Sequence, residues 1–490
     1  MEYRAVPQVS QQASSLSKQK HIDSAGYLSN KTIAALCTPT GGALCVLRIS
    51  GSNALKISEK LTGTQIQTSD ERKAKRVWIK DHDKKIDDAV MIPFLEPRSF
   101  TGENVVEFFL HGSPIIAQKT LDLIFDEGAR MALPGEFSFR AVKNGKLQLS
   151  QAEAIKELIS AENDFALDLA LEKLSGSQHE LIEKVRSDLM QLATLSEVGI
   201  DFSDQDIDEV SLPRLNLRLD GIIQMLENLR GSFDRGKRFT DGVPVSLFGL
   251  PNAGKSSFFN SLLGEDRSIV SDVAGTTRDV VREKLNLKGE KGYVTFKLSD
   301  TAGLRGVTAE QDAYKIEKIG IERTIQAAKV SDLVVVVIDG INPEVLEVKK
   351  FLTSVGEKKY LGVISKKDQV DPQTQTFLIQ KLKLDFPEIT DWTWVSSVSL
   401  DGVAEASFKM AKVAESLLDR SPGEVVITQI EHLQAIERSL KCLKEAKSSA
   451  DLVLFATGIR HGMGELGALI GETLPDDVLG KIFSDFCIGK

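Results

Sequence analysis

Apolar positions follow a strand-like pattern in the first third of the chain. Residues 1–30 are polar and predict an extension outside any core. From Lys31, the apolar runs in TIAALCTPTGGALCVLRISG predict a hairpin, and DDAVMIPFLEP and VVEFFLHG predict further strands. A helix is expected from about Ile115 to Gly128. Residues 31–149 therefore predict a mixed α/β domain.

The period then changes to that of helices. SQAEAIKELISAENDFALDLALEKLSG carries apolar residues at helical spacing, and Ser150 with Glu153 predicts a capping box at its start. Further helix is expected over about 212–233. The pattern breaks near Gly236 and resumes after Pro422-Gly423, so a helical bundle is predicted to be interrupted by an insertion.

The patterns together predict a multidomain chain that combines α/β and α domains. Its segments are a polar extension at 1–30, an α/β domain at 31–149, the first half of a helical domain at 150–240, an inserted domain at 241–421 and the second half of the helical domain at 422–490.

Composition limits the function classes. The chain has 490 residues, 42% of them hydrophobic and 27% charged, which is ordinary for a globular protein. We expect a cytoplasmic protein, because the first 30 residues hold no apolar signal segment and apolar runs such as 333–338 are too short for a membrane span. A net charge of −9 argues against electrostatic coating of nucleic acid. The scattered cysteines fit neither a disulfide framework nor a metal-ligand spacing: Cys37, Cys45, Cys442 and Cys487.

The insertion begins with a phosphate-binding loop. PVSLFGLPNAGKSSFFNSLLG predicts a strand, then Gly249-x4-Gly254-Lys255-Ser256, then a helix. Backbone N–H groups of such a loop face phosphate oxygens, the lysine adds charge at the β- and γ-phosphates, and the Ser256 hydroxyl is a Mg²⁺ ligand. A chance match is the alternative, and the strand-loop-helix context argues against it.

Further motifs follow in the order found in GTPases. YVTFKLSDTAG predicts a strand that ends at Asp300–Gly303, whose carboxylate would reach Mg²⁺ through water. SDLVVVVIDG predicts a buried parallel strand. Lys366 and Asp368 follow the strand YLGVIS, and an aspartate there accepts both N1–H and N2–H of guanine. WTWVSSVSLDGV adds a last strand and a loop beside the base, so the insertion is predicted to bind and hydrolyse GTP.

The whole chain resembles one family. GLPNAGKSS, SIVSDVAGTTRDVVREKL, LRISG, SFTGENVVEFFLHG, LPGEFSFRAVKNGKLQLSQAEAI and the terminal FCIGK are similar to the MnmE (TrmE) family of tRNA-modifying GTPases. The resemblance extends from about Thr32 to Lys490. It implies an N-terminal α/β domain that binds folate and dimerises, a helical bundle, and a Ras-like P-loop GTPase domain inserted into the bundle.

The resemblance also implies an activity. Family members are K⁺-activated GTPases that work as homodimers with the flavoprotein MnmG (GidA). Together they add an aminomethyl or carboxymethylaminomethyl group to C5 of the wobble uridine of certain tRNAs. The implied cofactors are GTP, Mg²⁺, K⁺ and a 5,10-methylene or 5-formyl tetrahydrofolate, with FAD on the partner only.

Matching positions imply the nucleotide and metal sites. The potassium ligands would be Asn252, Ser271, Val273 and Thr276, and the magnesium ligands Ser256 and Thr277. Glu317 would orient the attacking water, because Leu304 stands where other GTPases have glutamine; on spacing alone Glu317 is a solvated helix carboxylate. The implied GTP-binding residues are Asn252, Ala253, Gly254, Lys255, Ser256, Ser257, Ser271, Asp272, Val273, Ala274, Gly275, Thr276, Thr277, Asp300, Thr301, Ala302, Gly303, Ser365, Lys366, Lys367, Asp368, Ser396, Ser397 and Val398.

The resemblance places a second site in the first domain. Its folate-binding residues would be Arg48, Glu107, Lys146 and Lys490. Without the resemblance, Arg48 is a charged strand residue and Lys146 a solvated one. If Lys490 reaches this site, the C-terminal tail is docked and Cys487 becomes a candidate catalytic thiol, with an inert packing residue as the alternative.

One position departs from the family pattern. Family members carry Asn-Lys-x-Asp where this chain has Ser365-Lys366-Lys367-Asp368. Serine lacks the carboxamide that joins guanine N7 to the phosphate loop. We therefore predict weaker nucleotide affinity with guanine specificity retained, because Asp368 is present.

Two other functions remain open from the sequence. A ribosome-assembly or RNA-chaperone GTPase would share the nucleotide motifs, but the chain shows no basic RNA-binding appendage. A folate-binding protein with a vestigial GTPase conflicts with the intact Lys255, Ser256, Thr277 and Asp300.

Overall fold

The computed structural model describes residues 27, 29–201, 210–265, 284–298, 322, 324–421, 423–471, 480, 482–484, 486 and 488–489. The chain forms two compact units. The first draws on residues up to Lys156, on Leu174–Asp220 and on the chain from Arg438 onward; the second comprises Glu157–Lys173 and Gly221–Glu437. The domain boundaries proposed above stay predictions. Within the described ranges, none of the helices combines the length and apolarity that a membrane crossing needs.

The first unit contains a six-stranded sheet in the order β3-β4-β5-β2-β1-β6. Neighbouring strands are antiparallel except for the parallel pair β1–β6. The predicted hairpin is confirmed as β1–β2, whereas β3 and β6 were missed by the sequence patterns. The strands are β1 Ile33–Leu36, β2 Leu44–Ser50, β3 Lys75–Asp81, β4 Lys84–Phe94, β5 Val105–His111 and β6 Arg130–Met131.

Helices cover this sheet, and the inward residues of the strands form its core. Alternate residues of β2 and β5, such as Leu47 and Phe108, are fully buried against apolar side chains of the first two helices. The helices are α1 Ala54–Thr62, α2 Pro114–Asp126, α3 Glu136–Lys143 and α4 Leu149–Ser160, the last of which ends in the second unit.

The predicted capping box at the start of α4 is wrong. The helix begins at Leu149, so Ser150 lies inside its first turn, and its buried hydroxyl has no hydrogen-bond partner. The side-chain contact at the start of this helix lies two residues earlier than predicted. Gln151 Oε1 accepts from the backbone N–H of Gln148 (3.0 Å). The start of the helix is therefore shifted from the position that the Ser-x-x-Glu spacing indicated.

Four further helices lead to the inserted domain: α5 Asp164–Leu174, α6 Ser177–Asp201, α7 Leu212–Gly231 and α8 Phe233–Asp241. The predicted break near Gly236 is wrong, because α8 continues to Asp241. Gly236 is instead a site of close approach: an added Cβ would lie 2.0 Å from the carbonyl oxygen of Ile427.

The second unit contains a six-stranded sheet in the order β12-β11-β10-β7-β9-β8, parallel except for the β8–β9 hairpin. Its parallel strands end at one edge, where such folds bind ligands. The strands are β7 Val243–Phe248, β8 Lys284–Lys288, β9 Tyr293–Leu298, β10 Leu333–Asp339, β11 Lys359–Ser365 and β12 Trp392–Trp394. The accompanying helices are α9 Lys255–Glu265, α10 Val345–Val355, α11 Pro372–Asp385 and α12 Val403–Leu418. The chain continues into α13 Ile430–Ser448 and α14 Leu452–Gly467.

The end of the chain packs within the first unit. Phe483 and Phe486 join a core cluster with Tyr27 and Phe139. Ile488 packs against a second cluster that contains Ile33 and Phe137. The described residues of the tail are thus docked, whereas the predicted contact of Lys490 with the folate site lies outside the described residues.

Candidate functional site

The loop between β7 and α9 has the geometry of a phosphate cradle. Gly249 passes so close to β10 that an added Cβ would lie 2.5 Å from the carbonyl oxygen of Val337. Asn252 and Gly254 adopt left-handed backbone conformations, with φ of 63° and 90°. The loop then enters α9, whose N-terminus carries the positive end of the helix dipole.

Lys255 spans this loop. Its Nζ donates to the carbonyl oxygens of Gly249 (2.6 Å) and Leu250 (2.9 Å), and burial lowers the pKa of its amine. An ammonium group with two oxygen acceptors can exchange them for phosphate oxygens. Of the neighbouring residues predicted to bind GTP, Ala253 is buried, whereas Ser256 and Ser257 are exposed in the first turn of α9.

The base-recognition loop follows β11 at the same edge of the sheet. Ser396 Oγ donates to Asp368 Oδ1 (2.6 Å), and this hydrogen bond is the main reason that the pKa of Asp368 lies below its usual range. Ser396 Oγ also accepts from the backbone N–H groups of Val398 and Ser399 (3.3 and 3.2 Å). Asp368 is therefore an oriented, ionised acceptor, as recognition of two guanine N–H donors requires.

Asp339, which was not predicted from the sequence, holds Lys366 of this loop in place. It ends β10 directly opposite Ser365 of β11, and its Oδ2 accepts from Lys366 Nζ (2.5 Å). Burial alone would raise the pKa of Asp339, but hydrogen bonds from Lys366 and from the N–H of Ile341 lower it. The sequence held one indication of this pair: the strand β10 ends in Asp339, and the strand β11 ends in Ser365 and is followed by Lys366. Lys367, the other lysine of the loop, pairs with Asp401.

Ser365 lies between the two loops. The Ser365 side chain is buried and its Oγ has no hydrogen-bond partner. A Cβ added to Gly254 would lie 3.1 Å from the Cβ of Ser365. The base loop and the phosphate loop are therefore adjacent at the position where the family resemblance implies asparagine.

Ser397 is half-buried and Val398 is exposed next to Ser396, and the other predicted nucleotide and metal residues that have not been placed lie outside the described residues. Asn252 and Ser256 are the members of the proposed potassium and magnesium ligand sets that fall within the described ranges. The predictions outside those ranges concern Ser271, Asp272, Val273, Ala274, Gly275, Thr276, Thr277, Asp300, Thr301, Ala302, Gly303, Glu317, Cys487 and Lys490.

A second candidate site lies on the sheet of the first unit. Arg48 of β2 and Glu107 of β5 are cross-strand neighbours, and Glu107 Oε1 accepts from both Nε (2.8 Å) and Nη2 (2.7 Å) of the arginine. The Arg48 guanidinium carbon lies 5.3 Å and 5.4 Å from the ring centroids of Phe100 and Phe137. Arg48 and Glu107 were each predicted as folate-binding residues, but neither their ion pair nor the two rings was predicted. A partly exposed ion pair beside the half-buried ring of Phe100 suits a flat, polar heterocycle, whereas the Phe137 ring is fully buried beneath the arginine.

Cys37 and Gly489 lie at the end of β1, the strand paired with β2, and Lys146 lies against the loop after Phe100. Burial raises the pKa of the Cys37 thiol while the Arg48 charge opposes it, which places the thiol in the field of the pair. Gly489 lies against the end of β1, where an added Cβ would be 2.3 Å from the carbonyl oxygen of Leu36. Lys146 is exposed and packs on Gly102, in the loop that follows Phe100.

Comparison with known proteins places these features in a family. The family model described as "MnmE helical domain" matches residues 149–487, and "GTP-binding protein TrmE N-terminus" matches residues 32–146. Relatives named tRNA modification GTPase MnmE include those of Thermotoga petrophila, at 33% identity over 94% of this chain and 100% of theirs, and Aquifex aeolicus, at 34% over 94% and 99%. The Pseudothermotoga lettingae relative is 35% identical over the same shares, 94% and 99%.

Proposed function

The chain belongs to the MnmE family of tRNA modification GTPases, and on this premise we propose that it is a K⁺-activated enzyme that modifies the wobble uridine. It is a GTP hydrolase that takes part in tRNA modification. The finer proposal is that it adds an aminomethyl or carboxymethylaminomethyl group to C5 of that uridine. It would do so with an MnmG-type flavoprotein and a tetrahydrofolate one-carbon donor.

The observation that carries the GTPase proposal is the shared sheet edge of the two nucleotide loops. Lys255, already coordinated by loop carbonyl oxygens, would donate to the phosphates, while Asp368, oriented by Ser396, would accept from the guanine base. A protonated lysine and an ionised aspartate at opposite ends of one site suit a ligand with phosphates at one end and N–H donors at the other.

Two cations fit the described residues of the phosphate loop. Ser256, in the first turn of α9, presents a hydroxyl of the kind that holds Mg²⁺, and Asn252 presents a carboxamide oxygen of the kind that holds K⁺. When bound, the cations supply positive charge to the β- and γ-phosphates. The chain's own contribution is to fix these oxygens through the left-handed turns at Asn252 and Gly254. Thr277, Ser271, Val273 and Thr276 would complete the two sets, and Glu317 would orient water.

The Arg48–Glu107 pair supports the folate proposal. Glu107 would accept from ring N–H and amino groups of a pteridine, and Arg48 would donate to its carbonyl or to the glutamyl carboxylate. Lys146 and Lys490 would add cationic donors. Gly489 lies against the end of β1 beside Cys37. Cys487, two residues earlier in the chain, would therefore be a candidate thiol for the transfer of the one-carbon unit to uridine. We further propose a cytoplasmic homodimer.

Three measurements test this function. Purified protein should hydrolyse GTP at least 10-fold faster in KCl than in NaCl. It should bind 5-formyltetrahydrofolate, with Glu107→Gln weakening that binding and Asp88→Asn, which breaks an exposed ion pair with Arg76 on the same sheet, leaving it unchanged. Wobble uridines of cells without the gene should lack the C5 group by mass analysis.

The outcomes separate the candidate functions. Equal turnover in the two salts together with no folate binding would refute the proposal. GTP turnover with unaltered tRNA and defective ribosomes would support the assembly switch instead.

A further inference from the structure

The connection between α4 and α5 contacts a hairpin of the nucleotide-binding sheet. Glu162 Oε2 accepts from Lys284 Nζ of β8 (2.6 Å), and Asp164 Oδ2 accepts from the backbone N–H of Tyr293 of β9 (2.7 Å). Gly292 makes the second contact possible, because at its φ of 138° an added Cβ would lie 2.3 Å from Asp164 Oδ2. All these residues belong to the second unit.

Asn163 is the buried centre of this connection. Its Nδ2 donates to Thr295 Oγ1 of β9 (2.9 Å) and to the carbonyl oxygen of Phe239 in α8 (3.3 Å). Its Oδ1 accepts from the N–H of Ala166 in the first turn of α5 (2.8 Å). One amide thus joins the sheet, α8 and α5, and losing it would leave buried groups unpaired.

Thr295 extends the contact across the hairpin. It is 2% exposed, and its Oγ1 donates to Asn286 Oδ1 of β8 (2.7 Å), the residue directly opposite in the antiparallel register. A chain of hydrogen bonds therefore runs from Asn163 to both strands.

The hairpin links the two segments that the proposed chemistry needs. In sequence, β8 follows the stretch that holds Ser271–Thr277, and β9 ends at Leu298, immediately before the stretch that begins with Asp300. The phosphate loop and the base loop lie on other strands. The hairpin can therefore affect the reaction without moving Lys255 or Asp368.

We propose that Asn163 is a positioning residue for GTP hydrolysis: through Thr295 it fixes the β8–β9 hairpin, from which the chain runs in sequence into both of those segments. This rests on the proposed GTPase function. Loss of the contact should lower kcat and leave GDP affinity unchanged, because GDP would be held by Lys255 and Asp368, whose loops follow other strands.

The test compares two substitutions at Thr295. Thr295→Val keeps the shape but removes the hydroxyl, whereas Thr295→Ser keeps the hydroxyl. In KCl we expect kcat for GTP to fall about 5-fold in the valine variant and less than 2-fold in the serine variant, with the same GDP affinity in both. Adding Thr295→Val to Asn163→Ala should lower kcat little further, because both changes break one contact.

Asp451→Ala is the matched control for lost helix capping. Asp451 caps α14 in the first unit through the N–H groups of Val453 and Leu454, as Asn163 caps α5. If Thr295→Val does not fold, kcat for GTP is compared between Asn163→Ala and Asp451→Ala instead. An equal kcat in these two variants would overturn the inference. Equal kcat in the valine and serine variants would overturn it as well. Failure of the wild type to hydrolyse GTP would overturn both this inference and the proposed function.

Discussion

The most informative single residue of the nucleotide site is Ser365. Its buried hydroxyl has no partner, and it adjoins Gly254 of the phosphate loop. We predict that Ser365→Asn tightens GDP binding about 3- to 10-fold, because a carboxamide adds one or two hydrogen bonds of about 0.5–1.5 kcal/mol each. Titration with a fluorescent GDP analogue measures this. Ser365→Ala should change affinity less than 2-fold, and equal affinity of the asparagine and alanine variants would contradict the prediction.

Glu157 and Lys173 form a buried ion pair in the second unit. Lys173 Nζ donates to both oxygens of Glu157 (3.0 and 2.9 Å), and Thr428 and Gln429 donate to Oε1. Burial raises the pKa of Glu157, but the Lys173 charge and these hydrogen bonds outweigh it, so the net shift is downward. A carboxyl group with a lowered folded-state pKa stabilises the fold above its unfolded pKa, and this contribution is lost as pH falls through the folded pKa.

We predict that Glu157→Gln costs about 3–5 kcal/mol of unfolding free energy at pH 7, because it leaves the Lys173 charge buried and uncompensated. The difference from wild type should begin to shrink below about pH 4.3, the ordinary pKa of an unfolded glutamate, and should shrink further as the pH falls through the lower pKa of the folded carboxyl. Urea unfolding followed by tryptophan fluorescence suits this unit, which holds Trp392 and Trp394. The double variant with Lys173→Met should recover most of the loss. A deficit that is the same at pH 4 and pH 7 would argue against the pairing.

At the scale of elements, helical glycines differ by what surrounds them. Gly236 of α8 faces the Ile427 carbonyl oxygen at a distance that excludes a Cβ, whereas Gly221 of α7 has open space around it. We predict that Gly236→Ala lowers the unfolding free energy by about 1–3 kcal/mol through overpacking. Gly221→Ala should raise it by about 0.5–1 kcal/mol through helix propensity. Urea unfolding of both variants measures this, and a change of the same sign in both would show that the close approach is unimportant.

Elements specified by local patterns were predictable from the sequence. The buried run of β10, the strand-loop-helix around Lys255 and the β1–β2 hairpin each carry their own signal, and all three are present. The wrong predictions concern helix ends whose position depends on contacts that the local pattern does not show. The α8 helix continues through Gly236, which the local pattern marks as a helix breaker but which lies against the Ile427 carbonyl oxygen in the fold. The start of α4 was misplaced because Gln148 and Gln151 supply the contact assigned to Ser150 and Glu153.

The candidate sites show the same division. Lys255, Asp368 and Ser396 lie in local motifs and were predicted. Asp339 was missed, because its role depends on β10 and β11 being neighbours that end at one edge. Phe100 and Phe137 were missed because no local pattern places either ring beside Arg48.

At the scale of the whole molecule, the end of the chain packs against residues from the beginning of the chain within the first unit. Phe483 and Phe486 pack with Tyr27 and Phe139, and Gly489 reaches β1 next to Cys37. A cluster that joins the two ends of the chain makes the Arg48–Glu107 site sensitive to changes at the C-terminus. Folate binding is therefore the property with which to test the docked tail.

Gly489→Ala should weaken 5-formyltetrahydrofolate binding about 10-fold or more. Gly489 has a φ of 96°, and a Cβ there would lie 2.3 Å from the Leu36 carbonyl oxygen and 3.0 Å from Cys37 Cα. Strain and overpacking of about 1–3 kcal/mol should displace the tail. Gly128→Ala is the matched control, because Gly128 has the same φ of 96° but open space around an added Cβ. Calorimetric titration measures folate affinity, and GTP turnover in KCl should stay at the wild-type rate in both variants, because the nucleotide loops lie in the second unit. Equal folate affinity in the two variants would show that the docked tail contributes nothing to the site.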